Sequence, residues 1–92
     1  MAITCSKVED TTGVVAYLRR DLWANKWILC ALERNMPPVP REVWAAEQGS
    51  TMVGMMMSQK FPHARGLSLD VRADSPEAVG VMVRCLEPGE YG

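Results

Sequence analysis

An α+β domain with two amino-terminal helices, a small antiparallel sheet and a carboxy-terminal helix is the fold class that the sequence predicts. Apolar residues recur at helical spacing near the start of the chain, strand-like segments separated by turn residues follow, and a Ser-Pro helix start comes last. The predicted order is α-α-β-β-β-α with a three-stranded, mainly antiparallel sheet. The 92 residues correspond to one domain, and we expect residues 1–9 and 87–92 to be terminal tails.

The first helix is expected over residues 12–22. Its apolar residues lie on one helical face: Val14, Val15, Leu18 and Leu22. Asp10, Thr11 and Thr12 offer side-chain oxygens that can accept hydrogen bonds from the first backbone N–H groups. The helix therefore has both an apolar face and a cap.

A second helix is expected after a junction at residues 21–25, with Asn25 as its cap. Its apolar face is formed by Trp27, Ile28, Ala31 and Leu32. Asn35 tolerates the left-handed conformation that ends helices, and Pro37 cannot continue the hydrogen-bond ladder. We expect Met36–Arg41 to be an extended connector.

Two strands, at residues 44–47 and 51–58, are expected to form a hairpin around Gly49, which can adopt a positive φ. A third strand is expected at residues 67–71, where apolar and polar residues alternate. Five of the six residues of Met52–Met57 are apolar, a pattern typical of a strand that is buried on both faces. Either flexible methionines fill a small three-layer core, or a partner covers part of the sheet.

The last helix has the clearest start. Ser75 is a favoured N-cap and Pro76 a favoured first residue. The apolar stripe of this helix contains Val79, Met82, Val83 and Leu86. Pro88-Gly89 is expected to end it.

Composition and charge exclude several classes of protein. The formal charge is −1, so the basic excess that binds nucleic acid is missing. No apolar run reaches the roughly 20 residues that span a membrane, and no secretory signal is recognisable. Cys5, Cys30 and Cys85 are odd in number and widely spaced, which favours reduced thiols in a cytoplasmic protein.

Few residues suggest catalysis or metal binding. His63 is the only histidine, so a zinc site there lacks partner ligands and a solvated loop residue is the simpler interpretation. Asp70, Asp74 and Glu77 could act as acids or bases, but Asp74 and Glu77 flank a helix start, where negative charge is stabilising. No nucleophile elbow and no phosphate-binding loop is present, and we expect neither a metal nor a bound cofactor.

Two segments carry a resemblance. Residues 14–33 resemble the paired first helices of the GNAT superfamily of N-acetyltransferases, especially members with an extra amino-terminal domain. Residues 47–55 resemble the family hairpin, whose second strand carries an aliphatic-Gly pair, here Val53-Gly54. The resemblance spans Val8 to Leu86 and matches the first half of that fold, without its initial strand.

The resemblance implies an acceptor-side half-domain. The family's acetyl-CoA signature, Gln or Arg followed by x-x-Gly-x-Gly or Ala, is absent at the corresponding Arg72–Pro76. The chain is therefore not expected to be catalytic alone. We expect it to act as a homodimer or by packing on a cofactor-binding domain. Acetyl-CoA is expected as a cofactor only if the partner domain supplies the binding loop.

The resemblance also places Asp21, Trp23 and Asn25 beside the acceptor substrate. Their alternative roles are a solvated charge for Asp21, core packing for Trp23 and capping for Asn25. Trp27 and Trp44 are likewise typical of core or interface anchors. The alternative functions are a stand-alone small-molecule or protein-binding module and a complete but divergent acetyltransferase.

Overall fold

Four strands form one antiparallel sheet in the order in which they occur along the chain. The computed structural model describes residues 2–63 and 65–86. Its elements are β1 (Ile3–Val8), α1 (Thr12–Leu18), a 3-10 turn (Arg19–Asp21), α2 (Leu22–Arg34), β2 (Arg41–Gln48), β3 (Thr51–Gln59), β4 (Ser68–Ala73) and α3 (Pro76–Arg84). The α+β class and the antiparallel sheet are therefore as predicted, but the sheet has four strands and not three.

The additional strand is β1, which lies within the residues 1–9 that were predicted to be a tail. It pairs with β2 from Ile3 opposite Gln48 to Val8 opposite Val43. Ile3 and Cys5 pack on one face of the sheet and Val8 on the other. These partly buried side chains account for the pairing of β1, an edge strand in which apolar and polar residues are equal in number.

The helix boundaries differ from the predicted ones. α1 ends at Leu18, and α2 begins at Leu22 because the Asp21 side chain accepts a hydrogen bond from the Ala24 backbone N–H. The predicted cap at Asn25 is therefore wrong, since Asn25 lies inside α2. The predicted end is confirmed, because Asn35 adopts the left-handed conformation with φ of 51°.

The hairpin, β4 and α3 match the predicted elements only roughly. Gly49 has φ of 66° in the turn between β2 and β3, and both strands extend beyond the predicted ranges. Ser75 caps α3, since its hydroxyl oxygen accepts from the Ala78 N–H at 3.2 Å. α3 ends at Arg84, whereas the predicted stop at Pro88-Gly89 lies outside the described residues.

The sheet separates two cores, because successive side chains of a strand point to opposite faces. The larger core, between the sheet and helices α1 and α2, contains Val14, Leu18, Ile28, Leu29, Ala31, Val43, Ala45, Met55 and Met57. The smaller core, under α3, contains Trp44, Ala46, Met56 and Met82. The apolar strand is thus buried on both faces by its own chain, so the three-layer interpretation is confirmed for β3.

Gly54 allows α3 to lie close to the sheet. A Cβ atom at this position would lie 2.9 Å from Cε of Met82 and 3.0 Å from the backbone oxygen of Arg72. Both distances are shorter than ordinary van der Waals contact. The absence of a side chain at Gly54 therefore allows Met82 and the Arg72 backbone to approach β3 closely.

Candidate functional site

Asp21 lies where the 3-10 turn meets α2, and its carboxylate caps that helix. Oδ1 accepts from the Ala24 N–H at 3.1 Å, and the side chain remains exposed. The sequence had suggested a solvated charge or an acceptor contact. The structure adds the capping role, which uses Oδ1.

Asn25 is buried, and both polar atoms of its side chain form hydrogen bonds within the protein. The residue is only 7% exposed, and its Nδ2 donates to the Leu18 backbone oxygen at 2.9 Å. Its Oδ1 accepts from Nε of Arg72, also at 2.9 Å. The amide therefore joins the end of α1, helix α2 and strand β4, a structural role that differs from the predicted helix cap.

Trp23 is 89% exposed, so the core-packing interpretation is wrong for this residue. Two residues further along an α-helix the side chain has rotated by about 200°, so Trp23 and Asn25 lie on different sides of α2. The structure consequently keeps Asp21 and Trp23 near solvent at the start of α2 but does not bring Asn25 to the same surface.

A polar cluster joins α1 to the junction between β4 and α3. Oη of Tyr17 donates to Oδ1 of Asp74 at 2.8 Å, and Nη2 of Arg20 reaches the same oxygen at 2.8 Å. The Arg20 guanidinium also lies 4.4 Å from the centre of the Tyr17 ring. Sequence reasoning found Asp74 but missed Tyr17 and Arg20, whose i, i+3 spacing was the only available signal.

The cluster changes the acidity of Tyr17. Burial, together with the adjacent Asp74 carboxylate, raises the pKa of the Tyr17 phenol to about 12. Asp74 thus receives a hydrogen bond from a neutral phenol and an ion pair from Arg20. The Asp74 carboxylate therefore links Tyr17 of α1, and Arg20 in the turn after it, to the end of β4.

The amino terminus of α3 is poorly suited to a phosphate. Ser75 already accepts the Ala78 N–H, and Pro76 has no N–H to donate. Glu77 adds negative charge in the first turn, and the Asp74 carboxylate lies just before it. An anion at this helix start would meet like charge and few donors.

The outer edge of β4 has no strand beside it within residues 2–63 and 65–86, since β4 pairs only with β3. α3 follows β4 directly and exposes two apolar side chains, Val79 at 38% and Val83 at 50%. An unpaired strand edge presents backbone N–H and C=O groups that can pair with another chain. The end of the sheet is therefore a surface on which a further strand could be added.

A second apolar surface lies on the solvent side of α2. We call it the tryptophan face and define it by Trp23, Lys26, Trp27, Cys30 and Arg34. Trp27 is 79% exposed, and Nζ of Lys26 lies 5.5 Å from the centre of its ring. Trp44, by contrast, is buried under α3, so only one of the three tryptophans is a core anchor.

Two of the three thiols are neighbours. Sγ of Cys85 lies 3.8 Å from the backbone oxygen of Cys5, at the contact between α3 and β1. Burial and the hydrogen bond with Cys85 raise the pKa of the Cys5 thiol to about 12, so Cys5 is a poor nucleophile at neutral pH. All three cysteines are free.

In the described part of the chain, His, Cys, Asp and Glu side chains do not gather in groups of three or more that could hold a metal ion. Nor does any helix there have the length and apolar content needed to cross a bilayer. Comparisons of the chain with protein-family models, curated proteins and solved structures found no match.

Proposed function

We propose that the chain is the acceptor-side half-domain of a GNAT-like N-acetyltransferase and acts with a partner that supplies the acetyl-CoA site. The order β-α-α-β-β-β-α supports this proposal, because it is the order that the resemblance implies for the first half of the fold. β1 provides the initial strand that the sequence pattern had not indicated. A cofactor-binding partner domain would complete the enzyme, whereas a second copy, which lacks the same loop, could only cover an exposed surface of the half-domain.

The unpaired edge of β4 is the observation that carries the proposal. A partner strand could add to β4 through backbone hydrogen bonds, and Val79 and Val83 offer apolar contacts on the adjoining helix. The Tyr17–Asp74–Arg20 cluster connects the residue after β4 to α1 and to the 3-10 turn that follows it. The end of β4 is thus linked to the helices that would border the acceptor.

The α3 start supports the need for a partner. Its capped, acidic first turn, with a proline at the first position, lacks the free donors that a pyrophosphate requires. The chain alone is therefore expected to give no heat on isothermal titration with acetyl-CoA. Micromolar binding by the chain alone would overturn the half-domain proposal in favour of a complete, divergent enzyme.

The acceptor side is tested with a primary amine. We expect butylamine to shift the NMR amide signals of Asp21 and Trp23, because the solvent-facing carboxylate and indole can bind an ammonium group. Asp21→Asn is the matched variant, since asparagine also caps helices but lacks the charge. The shifts should disappear in this variant, and shifts that persist or scatter over the surface would refute an acceptor site at Asp21.

A further inference from the structure

The tryptophan face and the neighbouring Leu22 expose large apolar side chains at the start of α2. Trp23 is 89% exposed and Trp27 79%, and Leu22 beside them is 57% exposed. These residues follow one another on a single helix and form a contiguous patch. Patches of this kind mark interaction surfaces.

The arrangement along α2 is that of a helix-packing stripe. Trp23, Trp27, Cys30 and Arg34 are spaced by i, i+4, i+7 and i+11, which places them on one side of the helix. The opposite side carries the buried residues Asn25, Ile28, Leu29 and Ala31. α2 therefore has two packing faces, and only one of them is covered within the described residues.

The exposed apolar area on α2 is large enough for a contact between two copies of the chain. Each indole offers about 200 Å² and Leu22 about 100 Å² more, so a symmetric contact would remove roughly 1,000 Å² from water. That is the lower bound for a specific interface. A single isolated chain leaves all of this surface in contact with solvent.

The charges on α2 suit an antiparallel pairing. Lys26 precedes Glu33 by seven residues, on the same flank of the stripe. When two such helices run antiparallel, Lys26 of one copy faces Glu33 of the other, and the contact occurs twice by symmetry. Glu33 already binds Arg19 through both carboxylate oxygens, at 2.9 and 2.8 Å, and so is held at the edge of the stripe.

We propose that the tryptophan face binds a second copy of this chain, with the two α2 helices antiparallel and crossing near Trp27 and Cys30. In this arrangement Arg34 of one copy lies against the indole of Trp23 of the other, as a cation–π contact. This dimer rests on the proposed function and specifies how a second copy would bind. It leaves the β4 edge free, so the two surfaces can be tested separately.

Sedimentation velocity tests the dimer. At about 100 µM, a concentration suited to a contact near the lower size limit, we expect a species of twice the 10.2 kDa monomer mass. Trp27→Glu should weaken association about 30-fold or more, as loss of a central aromatic anchor does. Ser50→Glu, which adds the same charge at an exposed site in the turn between β2 and β3, should leave association unchanged.

Oxidative crosslinking tests the crossing point. In the Cys5→Ser, Cys85→Ser double variant, whose fold is checked by circular dichroism, copper-phenanthroline and oxygen should join Cys30 to Cys30 of the second copy. Each thiol loses one proton and one electron to the oxidant as the S–S bond forms. A dimer band that dithiothreitol removes and Trp27→Glu abolishes supports the proposal, whereas a monomeric chain with no band overturns it.

A monomer that binds phosphatidylglycerol vesicles through Trp23 and Trp27 would also overturn the dimer, in favour of an anionic membrane surface. The acetyl-CoA and butylamine titrations are repeated on Trp27→Glu. If the chain proves to be a monomer, the two titrations still test the proposed function. If butylamine does not bind, the sedimentation experiment still tests the dimer.

Discussion

Replacing Gly54 by alanine tests the close packing of α3 on β3. The new Cβ would lie 3.0 Å from the Arg72 backbone oxygen and 2.9 Å from Cε of Met82. The Met82 side chain can rotate, but the Arg72 oxygen belongs to β4, whose register is fixed by pairing with β3. Overpacking costs about 1–3 kcal/mol, against a gain of about 0.4–1 kcal/mol from restricting the unfolded chain. We therefore expect a net loss of about 1 kcal/mol in the free energy of unfolding.

Urea unfolding followed by far-ultraviolet circular dichroism measures this loss, with Gly80→Ala as the matched control. The nearest atom to a Cβ at Gly80 is Nη2 of Arg84 at 3.5 Å, the end of a flexible side chain. Alanine inside a helix is more favourable than glycine by up to about 1 kcal/mol, so this variant should be stabilised. A Gly54→Ala protein as stable as the wild type would refute the close-packing argument.

Three further substitutions test the core, the buried amide and the phenol. Met56→Asp should make the chain insoluble or unfolded, because Met56 is 0% exposed and the carboxylate would have no partner; a soluble, folded variant would mean that β3 is accessible to solvent. Asn25→Ala should lower the free energy of unfolding by about 1–3 kcal/mol through lost hydrogen bonds, while the exposed Lys26→Ala changes it little; equal stabilities would contradict the bridging role. The raised pKa of Tyr17 favours its neutral form in the folded state, so its contribution to stability is complete below pH 10 and falls as the pH rises toward about 12. Tyr17→Phe should show a smaller alkaline loss than the wild type in urea titrations, and identical alkaline profiles would exclude Asp74 and burial as the cause.

The elements with local signals were the ones that sequence reasoning predicted best. Ser75 and Pro76 define the start of α3 through their own chemistry, and Asn35 ends α2 in the same local manner. The apolar run through Met56 correctly indicated a strand with both faces covered. Such patterns depend on neighbouring residues alone, which a sequence displays directly.

The two wrong predictions, for β1 and for Asn25, concern residues whose contacts are distant in the sequence. β1 was missed because its pairing depends on β2, some 40 residues away, and its exposed edge tolerates polar residues. Asn25 was interpreted as a cap because nothing local shows that Leu18 and Arg72 satisfy its amide. Tertiary contacts decided both cases.

The candidate site was only partly predictable. Asp74 was identified as a charge at a helix start, but its contacts with Tyr17 and Arg20 require α1 and the end of β4 to meet in space. Trp23 was expected to be buried or to border an acceptor, and its nearly full exposure follows from the register that Asp21 sets for α2.

The central position of β3 has a consequence for amide hydrogen exchange. β3 pairs on both sides and forms a wall of both cores, so its N–H groups should exchange only when most of the protein unfolds. α3 buries only Ala78 and Met82 and can open at lower free energy. Such an opening would expose Met56 and Trp44 while the α1–α2 side stays folded, so the amides of α3 should be less protected than those of β3.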